Sequence, residues 1–233
     1  MHTPIYYYET ISSTNAEAKK MILNGAKEGV LLAEHQTAGR GRLGRSFFSE
    51  NGIFMSAIIA PERIPFDTGF LTSAVATAVC RAITEKGFDA GIKWVNDIYL
   101  DGKKICGILA EAVSIGMETL AYVVGIGINV GESDFPEDIK EIAAALPLNK
   151  KEKQELFFSV IENIENVLEE NKTTTLFYLK EKSIVLGKEI RFFGAKNGEG
   201  IAVDLDENGG LVVQTSEKQK ITLTGGEISV RFF

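Results

Sequence analysis

KKICGILAEAVSIGMETLAYVVGIGINV, residues 103–130, decides the architecture. Two runs within it, 104–113 and 120–130, are rich in β-branched and apolar residues and poor in charge, which predicts two central strands of one sheet. Asp101-Gly102, just ahead, is a strong hairpin-turn signal, so a strand at 98–100 folds back into the first run, with another at 91–95 before it. Working further upstream, 53–59 reads as an apolar strand, 30–34 as another, and 5–11 as a short extended stretch. Between the last two, Thr14 and Glu17 have the spacing of a capping box, which opens a helix to about Leu23 that Gly25 ends. Residues 68–86 repeat small and apolar side chains at helical spacing, and Gly87 closes that helix. Downstream, 152–169 carries one apolar stripe through Leu156, Phe157, Val160, Ile161, Ile164, Val167 and Leu168, and a second helix is expected at about 175–182.

After Gly187 the pattern changes. Five short β runs, at 189–193, 201–205, 211–214, 220–224 and 227–230, are separated by Gly, Asn and Asp, which predicts a small closed barrel. The fold class is therefore α+β, a mixed sheet with flanking helices followed by a small all-β unit. With 45% hydrophobic and 24% charged residues, a chain of 233 has enough apolar material for a real core. No apolar stretch reaches the roughly 20 residues a membrane helix needs, and no secretory signal is recognisable. Cys80 and Cys106 fall in apolar periodic segments and are expected to be reduced and buried, which suits a cytoplasmic protein. A net charge of -7 argues against a surface devoted to nucleic acid.

Basic residues concentrate in two short segments. Gly39-Arg40-Gly41-Arg42-Leu43-Gly44-Arg45 combines glycines that let a ligand approach the backbone with three mutually repelling arginines. Such a loop is expected to order when an anion sits within it. The same composition suits a solvated arginine-glycine loop or a contact to single-stranded nucleic acid, and the residues alone leave these open. Gln36 and Phe47 flank it with an amide and an aromatic face. Lys93-Trp94-Val95-Asn96-Asp97 sets a cation, an amide and a carboxylate at a strand end, although Asn96 and Asp97 could equally serve a turn. Strict alternation would put Lys104 on one face with Cys106, Ile108 and Ala110, where a lysine requires an anionic partner, either a ligand or a nearby Asp or Glu. Gly125 and Gly127 inside a strand signal a close approach to the backbone, by a ligand or by a packed helix.

Taken in order, Ser12-Ser13-Thr14-Asn15, Gln36-Thr37-Ala38-Gly39-Arg40-Gly41-Arg42, Lys93-Trp94-Val95-Asn96-Asp97, Lys104-Ile105-Cys106-Gly107-Ile108-Leu109 and Gly125-Ile126-Gly127-Ile128-Asn129 resemble biotin protein ligases. The resemblance covers nearly the whole chain. It implies a catalytic domain over 1–183 similar to class II aminoacyl-tRNA synthetases and an SH3-like β-barrel over 184–233. It also implies ATP and biotin as substrates with Mg²⁺, and a biotin carboxyl carrier protein as acceptor, from acetyl-CoA carboxylase or another biotin-dependent enzyme. Residue by residue, Ser13, Thr14, Asn15 and Gln36 would hold the ureido end of biotin. Arg40, Gly41 and Arg42 would close over carboxylate and phosphate, with Gly39, Phe47 and Gly107 completing the binding set. Lys104 matches the family's catalytic lysine, and Asn129 would recognise adenine. Asp97 is the candidate to accept a proton from the acceptor lysine or orient its amine. No dedicated metal site is expected.

Two positions depart from the family pattern: Val95 stands where proline is frequent, and Phe47 where tryptophan is frequent. Larger members carry a helix-turn-helix domain before the core. Here the motif begins at Ser12, so neither that domain nor DNA binding is expected. Family members are often dimers through the central sheet, which makes a homodimer possible. A lipoate-protein ligase of similar core and, from another class, a nucleic-acid module built on the arginine-glycine loop are the competing readings.

Overall fold

Strand β3 (Gly52–Ile59) has all eight residues buried, so it must lie inside a sheet covered on both faces. The computed structural model describes residues 3–41, 44, 47, 51–132, 135–194, 197–225 and 229–232. Among these, β3 joins β1 (Ile5–Ile11), β2 (Gly29–Gln36), β4 (Gly91–Lys93), β5 (Asp97–Leu100), β6 (Lys103–Ile115) and β7 (Glu118–Asn129) in one sheet of order β1-β2-β3-β7-β6-β5-β4. The β1–β2 pair is parallel and the other neighbours are antiparallel, so the sheet is mixed. Asp101 and Gly102 both take positive φ, 50° and 79°, which makes the tight β5–β6 turn.

The pleat sorts the two faces. Ile53, Met55, Ala57 and Ile59 of β3 join Val124, Ile126 and Ile128 of β7 beneath α2 (Leu71–Glu85) and α3 (Lys150–Glu169). The small residues Ala74, Ala76, Ala78 and Cys80 let α2 pack closely there. On the opposite face, Leu31, Ile58, Val113, Ala121 and Val123 meet Ala18 and Ile22 of α1 (Thr14–Leu23). Helix α1 covers only one end of that face, and the site lies beside it.

Two local expectations need correction. Ser13, not Thr14, caps α1, accepting from the Ala16 amide at 3.4 Å. The Thr14 hydroxyl has a better use in Gln36, and Glu17 reaches forward to Lys20 instead of back to a cap. Strict alternation also fails at Lys104. A bulge in the β5–β6 ladder pairs Ile98 with Cys106 but Tyr99 with Lys104, leaving Ile105 as an extra residue. Lys104 therefore shares the α1 face with Gly107 and not the apolar face of Cys106 and Ile108.

α3 opens on a capping box of Asn149 and Glu152, and α4 (Lys172–Glu181) follows. The chain then forms a second antiparallel sheet from β8 (Glu189–Phe193), β9 (Gly198–Leu205), β10 (Leu211–Gln214), β11 (Lys220–Leu223) and β12 (Ser229–Phe232), in the order β11-β10-β9-β8-β12. Its last strand lies two residues beyond the expected one. Ile190, Phe192, Ala202, Leu205, Leu211, Val213, Leu223 and Val230 run into the same apolar cluster as the first sheet. Both cysteines are free and buried, as expected. No helix among the described residues is long and apolar enough to cross a membrane.

Candidate functional site

The site begins with missing side chains. On the α1 face of the sheet, Gly107 pairs across with Gly127, and Gly125 follows on β7 opposite Leu109. This glycine floor leaves a trough between α1 and the ends of β6 and β7. Two side chains use the space. A Cβ on Gly127 would lie 2.6 Å from the Phe47 ring, and one on Gly125 would collide with the Asn15 amide. Phe47 is held by its amide, which donates to the Gly39 carbonyl at 3.0 Å, and its ring meets Phe54 edge-on at 6.4 Å. The remaining volume is a cavity of about 640 Å³.

One end of the cavity is neutral and polar. The Thr14 backbone amide and hydroxyl both donate to Gln36 Oε1, at 2.8 and 3.1 Å. The Asn15 amide nitrogen donates to Glu111 Oε2 at 2.9 Å and to the Leu109 carbonyl at 3.4 Å. Behind both lies Ser56, fully buried on β3, with its hydroxyl 2.7 Å from Thr14 Oγ1 and 2.6 Å from Asn15 Oδ1. With Oε1 engaged by Thr14, the donors of Gln36 are directed onward.

The other end is charged. Lys104 Nζ lies 2.6 Å from Asp97 Oδ1. The pair is one-third and one-quarter exposed, so it contributes at most about 1 kcal/mol of stability, and its main effect is to place the ammonium. Backbone bonds reinforce that placement: the Lys104 amide donates to the Ile142 carbonyl at 2.8 Å, and its carbonyl accepts from Ala144 at 2.9 Å. Lys93 is partly buried, and desolvation, opposed by Asp97 but aided by Lys104 and Arg231, pulls its pKa below the usual lysine value. Tyr99, 3.3 Å from Lys93, is pushed up to about 12 by burial and by Asp97. At the far wall Asn129 is buried and donates to the Ala144 carbonyl at 3.0 Å, while its Oδ1 has no hydrogen-bond partner among the described residues.

Ser13, Thr14, Asn15, Gln36, Arg40, Gly41, Phe47, Asp97, Lys104, Gly107 and Asn129 all line this one cavity. Gly39 stands just behind it, bound to Phe47. Arg42 lies outside the described residues, as do Leu43 and Arg45 of the same loop. Lys93 and Trp94 of the motif that ends in Asp97 also line it, as do Ile139, Ile142 and Ala143 from the segment before α3 and Val230 and Arg231 from β12, and nothing in the sequence singles out these last five. Ser56 was missed too. Its signal was there, a lone hydroxyl in the otherwise apolar run of β3.

Residues 7–129 match the biotin/lipoate A/B protein ligase family, and residues 185–231 match the biotin protein ligase C-terminal domain. The bifunctional ligase/repressor BirA of Bacillus subtilis (strain 168) is 34% identical over 229 residues, spanning 91% of this chain and 70% of the relative. The biotin–[acetyl-CoA-carboxylase] ligase of Mycobacterium tuberculosis is 28% identical, spanning 94% of this chain and 86% of the relative. The solved biotin protein ligase from Aquifex aeolicus, in complex with biotin and ATP, has a TM-score of 0.85 at 28% identity and covers 99% of both chains. With a family match over more than half its length and a second match specific to biotin protein ligases, the chain belongs to the biotin/lipoate A/B protein ligase family, among the biotin protein ligases.

Proposed function

We infer that the protein activates biotin with ATP to biotinyl-5'-AMP and transfers the biotinyl group to a lysine of a carrier protein in the cytoplasm. The observation that carries this is one cavity with a neutral donor–acceptor wall at one end and, at the other, the Lys104–Asp97 pair and a buried acceptor that has no partner among the described residues. A cyclic urea carries N–H donors beside a carbonyl, which suits the Thr14–Gln36 wall. The dithiolane of lipoate has no such donors, so that wall disfavours it. Asn129 Oδ1 suits the exocyclic amine of adenine.

Attack of a carboxylate on the α-phosphate of ATP brings two anions together. Lys104 and Arg40, joined by Arg42, oppose that repulsion and stabilise charge growing on the phosphate oxygens. The acyl adenylate is a water-labile mixed anhydride, and the arginine-glycine loop would shield it until the acceptor arrives. Mg²⁺ needs only one or two carboxylates when nucleotide phosphates complete its shell. Asp97, a carboxylate that lines the cavity, fits that requirement, and the ion would supply further charge neutralisation. The same reading treats residues 1–183 as a class II synthetase-like catalytic domain. It treats 184–233 as an SH3-like barrel, supported by its five short antiparallel strands.

ATP–pyrophosphate exchange measured with biotin, with lipoate and with no acid tests the proposal. Biotin alone should drive exchange. Equal exchange with lipoate would overturn the substrate assignment.

A further inference from the structure

Beneath the neutral wall runs a chain of hydrogen bonds in which Asn15, Thr14 and Gln36 line the cavity while Lys19, Glu111 and Ser56 stand behind them. Lys19 Nζ sits 2.6 Å from Glu111 Oε1, and Glu111 Oε2 accepts from Asn15 Nδ2 at 2.9 Å. Asn15 Oδ1 faces the Ser56 hydroxyl at 2.6 Å, Ser56 faces Thr14 Oγ1 at 2.7 Å, and Thr14 faces Gln36. Asn15, Ser56 and Thr14 are 8%, 0% and 3% exposed, so solvent cannot rearrange their protons.

We propose that Glu111 is a positioning residue for recognition of the acid: its carboxylate fixes which way the Asn15 amide faces, and through Ser56 fixes the donor–acceptor pattern that Thr14 presents to the ligand. The proposal rests on the biotin reading above. A side-chain amide fits its space almost equally well in two orientations, and its partners select one. An ionised carboxylate only accepts, so Glu111 requires Nδ2 toward itself and leaves Oδ1 toward Ser56. Oδ1 carries no proton, so the single hydroxyl proton of Ser56 must point to Asn15. Thr14 then has to supply the proton it shares with Ser56 or Gln36. In either case that proton stays within the protein, and the Thr14 oxygen offers the cavity a lone pair. Gln36 Oε1 is already held by the Thr14 backbone amide at 2.8 Å, so its Nε2 offers donors.

The wall therefore presents an acceptor beside a donor, the complement of an N–H next to a carbonyl. If the Asn15 amide reversed, each hydroxyl proton would turn round and Thr14 could become a donor facing the ligand's own N–H. A merely structural role for Glu111 is a weak alternative, because its pair with Lys19 is about one-third exposed on both sides and contributes little to stability.

Glu111→Gln keeps the shape but removes the shorter and charged of the two acceptors that orient Asn15, leaving only the Leu109 carbonyl at 3.4 Å to oppose a reversal of the amide. Pyrophosphate exchange by this variant should show a KM for biotin raised about tenfold, the loss expected from one mispaired buried hydrogen bond. Its kcat, its KM for ATP and its melting temperature should stay close to those of the wild type. Ser56→Ala breaks the chain at another link and should raise the same KM. Because both act through one chain of protons, the double variant should be no worse than the poorer single one, whereas independent effects would multiply. An unchanged KM for biotin in Glu111→Gln, or multiplicative effects in the double variant, overturns the proposal. Wild-type protein that drives no exchange with biotin instead overturns the functional reading, and this proposal with it.

Discussion

Lys104 and Asp97 act as one charge unit, and the two half-reactions ask different things of it. During adenylation the ammonium is wanted beside phosphate. During transfer the acceptor's own lysine must lose a proton, since at a pKa of about 10.4 it is almost wholly an unreactive ammonium near pH 7. Lys104 occupies Oδ1 of Asp97, and a carboxylate has a second oxygen to offer an arriving amine. We expect Asp97→Asn to form biotinyl-adenylate at a rate nearer the wild type than its rate of transfer to the carrier. Transfer should recover in part as pH rises toward the lysine pKa, because solvent then supplies free amine in place of the missing base. Single-turnover measurement of each step across a pH series separates the roles. Equal loss in both steps without recovery would remove Asp97 from the base role and leave it as the group that positions Lys104 or Mg²⁺.

At the scale of elements, the site is made by where β7 omits side chains. A methyl group at Gly125 would collide with Asn15, whose amide is held on three sides by Glu111, Leu109 and Ser56. Gly125→Ala should therefore cost about 1–3 kcal/mol by overpacking and displace the start of α1. Biotin-dependent exchange should fall by at least about tenfold, as the Thr14–Gln36 wall moves with the helix. Denaturant unfolding and exchange assays check the two effects separately, and normal exchange would mean that Asn15 is not part of the wall. The strands themselves were legible, because 53–59, 104–113 and 120–130 are apolar runs and Asp101-Gly102 marks its turn chemically. Spacing and resemblance together also selected residues that the fold brings to one cavity, from Thr14 and Gln36 to Lys104 and Asn129. The bulge at Ile105 was not legible, since an extra residue in a strand has no compositional mark and yet reverses the face of Lys104. Neighbouring hydroxyls at Ser13 and Thr14 are equally good caps by type, and only the distant Gln36 decides between them. Glu111 likewise looks like any polar residue on an amphipathic strand until Asn15 is seen against it.

Across the whole molecule, one hydrogen bond sets the second sheet against the motif that carries Asp97. Trp94, 5% exposed, donates its indole N–H to the Gly209 carbonyl at 2.9 Å. That carbonyl is in a rigid place: Asp206 Oδ1 accepts from the amides of Asn208 and Gly210 at 2.8 and 2.7 Å, and a Cβ on Gly209 would lie 2.6 Å from Phe70. From the same sheet, Val230 and Arg231 line the cavity. Trp94→Phe keeps an aromatic ring but leaves the Gly209 carbonyl buried without its donor, a loss of about 1–3 kcal/mol. At about 2–4 °C per kcal/mol for a chain of this size, the melting temperature should fall by roughly 2–12 °C. If the bond only adds stability, activity well below the melting range should be untouched. If it also holds β12 at the cavity, exchange should fall there on the order of 10-fold, short of the 10²-fold that a 1 Å misplacement can cost. We expect the second result, because Trp94 is separated from Asp97 by only Val95 and Asn96, and a shift at the joint reaches both the carboxylate and Arg231. Exchange kinetics at a temperature where the variant is fully folded by circular dichroism decide the matter. Wild-type kinetics there would reduce Trp94 to a prop beneath the second sheet.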